Sequence, residues 1–214
     1  KKDEIMELCE DAVGIIAGTE TIDAAIMKEL TRLRVISRCG SGLANVDADT
    51  AKRLGIKVFN TPDAPIVAVA ELTVGLILNL LRKVCWMDRN LRNEQWEKMM
   101  GNLLNKKKVG IKGLGRIGKK VAELLRPFGC EIAYADPYVS DGLLGMKRLS
   151  FDDLLGWADI ITIHVSVKDR LVGEKEFQLM KKGAWLVNTS RGGVVDEKVL
   201  YEHLKNGYLA GAAL

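Results

Sequence analysis

Six residues, Gly113-Leu114-Gly115-Arg116-Ile117-Gly118, constrain the fold of this 214-residue chain more than any others. They follow a short strand candidate, Val109-Gly110-Ile111, and open a stretch of helical periodicity from Ile117 to Arg126. Glycine at the first position permits a tight turn. At the third it lets the backbone come close to a bound group, and at the sixth it lets the helix pack directly on the strand. The N-terminus of the helix presents unpaired N–H groups and the positive end of its dipole, which suits phosphate. The next strand candidate, Glu131 to Ala135, ends at Asp136, eighteen residues past Gly118. A carboxylate there accepts hydrogen bonds from an adenosine ribose and repels a 2′-phosphate. The glycine pattern alone also fits a plain turn. Strand, turn, helix, strand and acid together specify a dinucleotide site of the NAD type. Its candidate residues are Gly113, Gly115, Arg116, Ile117, Gly118 and Asp136. Lys112 stands where an apolar strand residue is expected, and is expected to point to solvent past the sheet edge.

The rest of the chain alternates in the same manner. Strands are expected at 12–17, 33–36, 56–59, 160–165, 184–187 and beginning at 210; helices at 47–54, 66–82, 174–180 and 196–205. Gly18-Thr19, Asn60-Thr61-Pro62, Asp136-Pro137 and Gly207 punctuate them. Ser150 with Asp153 three residues later reads as a capping box opening another helix. A polar, tryptophan-containing stretch at 86–102 lacks strand character. Short strands alternating with helices of about ten residues imply parallel sheets covered on both faces. The expected class is α/β with two lobes, residues 1–83 and 108–214, joined by 84–107.

Composition closes off other classes. With 48% hydrophobic residues and a net charge of +4, the chain is globular rather than disordered. Its longest mostly apolar stretch, 66–81, is interrupted by Glu71 and Asn79 and is short for a membrane span. Basic runs are confined to 106–108 and 119–120, which argues against nucleic acid as a partner. Cys9, Cys39, Cys85 and Cys130 lie far apart without metal-ligand spacing. No metal and no disulfide framework are therefore expected, and a reducing, cytoplasmic setting is.

Four segments together resemble the D-isomer-specific 2-hydroxyacid dehydrogenases, most closely the phosphoglycerate dehydrogenase group. They are Cys39-Gly40-Ser41-Gly42-Leu43-Ala44-Asn45-Val46-Asp47, then Asn60-Thr61-Pro62 with Val69-Ala70-Glu71, then the Gly113–Gly118 turn, and finally Asn188-Thr189-Ser190-Arg191-Gly192-Gly193-Val194-Val195-Asp196-Glu197. The likeness runs along nearly the whole chain. It departs at Ala44, where the family usually carries Asp, at Ser166, where Pro is usual, and in the short segment 168–173.

The resemblance implies a flavodoxin-like substrate lobe and a Rossmann NAD-binding lobe, both incomplete here, working on a small 2-hydroxy or 2-keto acid. Arg191 is implied as the substrate-carboxylate anchor, since a guanidinium grips a carboxylate at two points. Gly40, Ser41 and Gly42 are implied to offer backbone N–H groups to the same carboxylate, with Asn45 bracing their loop. Thr189 and His164 are implied to lie at the cofactor, His164 near its nicotinamide half. The family's acid–base His and Glu follow the strand that begins near Ala210, so neither His164 nor His203 is expected to fill that role. His203 reads as a surface residue beside Glu202 and Lys205. The chain begins with Lys and stops at Leu214, and is expected to be part of a longer enzyme. Trp86, Trp96, Met87, Met99 and Met100 are expected to pack, within a region the family uses for homodimer contacts; Trp157 and Trp185 are expected in the core. Arg32, Arg34 and Arg38 are the cations near the substrate loop that a phosphorylated acid would need. The competing reading is an NAD-binding corepressor-like scaffold of the same fold.

Overall fold

A computed structural model describes residues 2–140, 142–167 and 169–214; Lys168, which opens the short segment noted above, lies outside them. Contacts divide the chain into two compact units, Lys1–Ile66 and Val67–Leu214.

The first unit runs α1 (Lys2–Leu8), β1 (Gly14–Ala17), α2 (Ala24–Glu29), β2 (Val35–Arg38), α3 (Ala48–Arg53) and β3 (Lys57–Asn60). Its strands form a parallel sheet in the order β1-β2-β3. Asp23 and Asp47 start α2 and α3 by accepting from backbone N–H groups of the first turn. Ile22, Ile26, Leu33, Ile36, Ala51 and Ile56 form the core. The second strand begins two residues later than its apolar run suggests. Leu33 is buried in the turn that closes on the Leu30 carbonyl, and a two-residue shift leaves Ile36 facing inward because side chains alternate with period two. The sequence pattern gave no sign of α1. Its short run packs Ile5 and Met6 against the core.

The second unit contains α4 (Ile66–Arg82), α5 (Val84–Arg92), β4 (Lys108–Lys112), α6 (Arg116–Leu125), β5 (Glu131–Ala135), β6 (Lys147–Arg148), α7 (Phe151–Trp157), β7 (Ile160–Ile163), α8 (Glu174–Leu179), β8 (Trp185–Asn188), α9 (Glu197–Lys205) and β9 (Gly211–Ala213). Its six strands are parallel in the order β6-β5-β4-β7-β8-β9. One face is covered by α4 and α6 through Ala70, Val74, Ile77, Val121 and Leu125. The other is covered by α7, α8 and α9 through Leu154, Leu155, Phe177 and Leu200. Burial on both faces is why β7 and β8 read as near-continuous apolar runs. The chain leaves β4 toward β5 on one side and returns to β7 on the other. The crevice at the carboxyl ends of β4 and β7 is therefore the topological switch point, where such sheets bind ligands.

Several side chains differ from expectation. Trp86 and Trp96 are 56% and 88% exposed, and Met100 is exposed with them, because α5 and the irregular segment after it turn their apolar residues outward. Trp185 is in the core as expected. Ser150 caps α7, accepting from the Asp153 N–H at 3.1 Å. The return contact is Ser150 Oγ donating to the Asp153 carboxylate at 2.6 Å; Asp is one methylene too short to reach back to the cap backbone as Glu does. Among the described residues, no helix is long and apolar enough to cross a membrane and no cluster of metal-ligating side chains occurs.

Candidate active site

The glycine turn leaves β4 at the switch point. Gly113 has φ +90°, and a Cβ there would stand 2.4 Å from the His164 carbonyl oxygen at the end of β7. At Gly118 a Cβ would stand 2.1 Å from the Gly113 carbonyl oxygen, so α6 can approach β4 only through glycine. Gly115 is different. It is exposed, it starts α6 without a side-chain cap, and a Cβ there would meet nothing within 4 Å. That open space, at the N-terminus of a ten-residue helix that no side chain caps, fits a pyrophosphate. Arg116 is exposed next to it, and Ile117 is half-buried against the core.

Asp136 does more than wait for a ribose. Its Oδ2 accepts from the Leu114 N–H at 2.7 Å and its Oδ1 from the Tyr138 N–H at 2.8 Å. The carboxylate thus clamps the glycine turn to the end of β5 while keeping lone pairs for hydroxyl donors. Lys112 corrects its expectation. It lies between Ala135 and Ile163 in register and is half-buried, its ammonium 4.6 Å from the centre of the Phe151 ring. Burial lowers its pKa below the usual lysine range, while the Asp136 charge acts the other way.

His164 is held among hydroxyls. Its Nε2 lies 2.9 Å from Thr162 Oγ1 and its Nδ1 3.4 Å from Thr189 Oγ1. Thr189 in turn lies 2.9 Å from Thr73 Oγ1 on α4. Burial lowers the imidazole pKa to about 4. The unfolded chain takes up this proton below about pH 6.5, and the folded chain resists it until about pH 4. At pH 7 and above His164 is essentially uncharged in both states and adds almost no pH dependence to stability. Between pH 6.5 and 4, falling pH costs up to about 3 kcal/mol. Denaturant unfolding at pH 7.5 and 4.5 is expected to show this loss, and a His164→Asn variant to lose less on acidification.

Arg191 is presented by a turn that Asn188 organises. Asn188 Oδ1 accepts from the Ser190 N–H at 3.0 Å and from the Ser190 hydroxyl at 2.6 Å, and its Nδ2 donates to the Arg191 carbonyl at 3.0 Å. Among the described residues the half-buried Arg191 guanidinium has no ion-pair partner. It lines a cavity of about 340 Å³ with Asn188, Thr189, Gly193, Val195 and Glu197. Asp196, the nearest acid in sequence on that side, is engaged elsewhere: it caps α9 and pairs with Arg170 at 2.6 Å.

In the first unit, the Gly40 N–H is donated to Thr61 Oγ1 at 2.7 Å. This corrects the expectation that all three loop N–H groups face an anion; among the described residues, only those of Ser41 and Gly42 lack such a partner. Asn60 ties the loop down through the Ser41 carbonyl at 2.8 Å. Asn45 braces the preceding loop instead, donating to the Gly18 and Glu20 carbonyls. Arg38 was legible only as one of three arginines. Its guanidinium covers Gly40, where a Cβ would collide with Nη1. It donates to the Cys39 carbonyl at 2.8 Å and keeps a buried Nε without a partner. Arg32 pairs with Asp11, and Arg34 donates to the Thr31 and Leu33 carbonyls, both at the far end of β2.

His203 is not a surface residue. Its ring stacks on Phe177 with centroids 5.0 Å apart and meets the Tyr208 ring edge-on at 5.2 Å.

The family model for the D-isomer specific 2-hydroxyacid dehydrogenase, NAD binding domain, matches residues 74–214. The D-3-phosphoglycerate dehydrogenase of Sus scrofa is 36% identical over 100% of this chain, which spans 42% of that protein's length. The glyoxylate reductase of Aeropyrum pernix is 39% identical over 92% of this chain and 63% of its own. A crystal structure of a protein from Thermus thermophilus superposes with a TM-score of 0.94 at 34% identity, covering 99% of this chain and 70% of that one.

Proposed function

The chain belongs to the D-isomer-specific 2-hydroxyacid dehydrogenase family, and from that premise we propose that it serves hydride transfer between NAD(H) and C2 of a small 2-hydroxy or 2-keto acid, with 3-phosphoglycerate a named candidate. The observation that carries this reading is the half-buried Arg191 guanidinium, without an ion-pair partner among the described residues, at the carboxyl edge of an NAD-binding sheet. An anion site supports an enzyme rather than a scaffold.

NAD, when bound, supplies the hydride acceptor. Everything else falls to the chain's own groups. The first turn of α6 and the Gly115 backbone hold the pyrophosphate, and Asp136 accepts from the ribose hydroxyls. Arg191 grips the substrate carboxylate at two points and so fixes the orientation of C2. His164 contributes no proton at neutral pH, since burial keeps it uncharged. His203, packed between Phe177 and Tyr208, is not placed to take the hydroxyl proton either.

The likeness to D-3-phosphoglycerate dehydrogenases supports a substrate with a second anionic group. The exposed Trp86, Leu91, Trp96 and Met100 support a homodimer, which sedimentation velocity measures directly. For the cofactor, Asp136→Ala is expected to weaken NADH binding about tenfold or more and to narrow the preference for NADH over NADPH, measured by fluorescence titration; loss of one or two hydrogen bonds to a charged acceptor accounts for the size.

The function is tested by assaying the full-length protein for NADH oxidation with 2-keto acids whose third carbon carries hydrogen, hydroxyl or phosphate. Turnover is expected, with the phosphorylated acid favoured. Absence of turnover on every acid, with NADH binding intact, overturns the proposal.

A further inference from the structure

The hydrogen bonds around His164 bear on which of its nitrogens carries the proton. Thr73 Oγ1 donates to the Val69 carbonyl one turn earlier in α4, at 2.8 Å. A hydroxyl has one proton, so in the 2.9 Å contact between Thr73 and Thr189 the proton comes from Thr189. Thr189 is left only able to accept, and the 3.4 Å contact to His164 is then an Nδ1–H donation. The neutral ring has no second proton. Its bare Nε2 accepts from Thr162 Oγ1 at 2.9 Å. Thr73 and Thr162 are fully buried, so water does not compete at their hydroxyls.

We propose that Thr73, on α4, is a positioning residue that fixes His164 as the neutral Nδ1–H tautomer by taking the hydroxyl proton of Thr189. The chain of bonds runs from a helix carbonyl through two threonines to a ring at the carboxyl end of β7, beside the glycine turn. Desolvation is the only cause that lowers the imidazole pKa, and no charged group contributes. The ring is therefore uncharged with both nitrogens engaged. The functional consequence rests on the reading that His164 lies beside the nicotinamide half of the cofactor. A ring held this way adds no positive charge next to the oxidised nicotinamide, which is itself cationic, and it offers no nitrogen for stray protonation.

The test is nitrogen NMR of the full-length protein labelled with 15N-histidine, the His164 signals being assigned by their loss in His164→Asn. The expected spectrum has a protonated Nδ1 and a bare Nε2. In Thr73→Val the Thr189 proton loses its acceptor and turns to Nδ1, so the tautomer switches to Nε2–H; Thr73→Ser, which keeps both the donor and the acceptor, restores the original. A protonated Nε2 in the unmodified protein overturns the proposal, whether or not the valine variant folds. An unchanged tautomer in a folded Thr73→Val protein overturns it as well. Addition of NADH separates the two layers. Shifted His164 signals support the placement at the cofactor. Unmoved signals with the Nδ1–H tautomer intact refute that placement and leave the positioning role of Thr73 standing.

Discussion

Gly115→Ala is expected to abolish tight NADH binding while leaving the protein as stable as before. Gly115 has φ −71° and ψ −161°, a conformation any residue adopts, and nothing lies within 4 Å of an added Cβ. The methyl group meets no protein atom. In the proposed cofactor site it fills the space that a pyrophosphate would need in order to reach the N–H groups of α6. Losing two or three hydrogen bonds to a charged group, at about 1.5 kcal/mol or more each, weakens binding at least 100-fold. Gly118→Ala is the contrast. Its Cβ would stand 2.1 Å from the Gly113 carbonyl oxygen, so α6 must move off β4, at a cost of about 3 kcal/mol in overpacking. Titration with NADH and the urea unfolding midpoint, measured on both variants, separate the two effects. Tight NADH binding by a folded Gly115→Ala protein would place the dinucleotide elsewhere.

Arg191→Lys is expected to raise the KM for a 2-keto acid about 100-fold while the Kd for NADH stays within about twofold. A planar guanidinium offers a carboxylate two parallel charge-assisted bonds, whereas an ammonium offers a point charge on a flexible stem, a difference of about 2–3 kcal/mol. The backbone that presents the residue is held by Asn188 through the Ser190 N–H and the Arg191 carbonyl, and the substitution leaves those bonds in place. Steady-state kinetics with fluorescence titration of the cofactor measures both numbers. An unchanged KM removes Arg191 from the substrate site.

Much of this architecture is written in local pattern. The β4 strand, the glycine turn, α6, β5 and Asp136 are recognisable because each link depends on neighbours a few residues away. What the sequence hid was set by distant partners. Lys112 reads as a solvent-facing anomaly because Phe151, whose ring lies under its ammonium, comes from the start of α7. His203 sits among polar neighbours in sequence, yet Phe177 and Tyr208 enclose it in space. The second task of Asp136, clamping the Leu114 N–H, leaves no trace in spacing, because a carboxylate that reads a ribose and one that braces a turn are the same residue at the same place. Gly40 illustrates the reverse error: its place in a glycine-rich loop suggests a free N–H, and Thr61, which directly follows β3, has taken it. Thr73 passes as one more residue on the buried stripe of α4; only its bonds to Val69 and Thr189 distinguish it.

The central claim, a dinucleotide held by the glycine turn and an acid oriented by Arg191, meets its most direct test in one single-turnover experiment. The full-length protein is loaded with NADH, mixed with a 2-keto acid, and the product is resolved by chirality. The predicted result is stoichiometric loss of NADH absorbance with formation of the D-2-hydroxy acid, and a single-turnover rate at fixed sub-saturating acid that drops about 100-fold in Arg191→Lys. Bound NADH that persists in the presence of every 2-keto acid, or an L product, contradicts it.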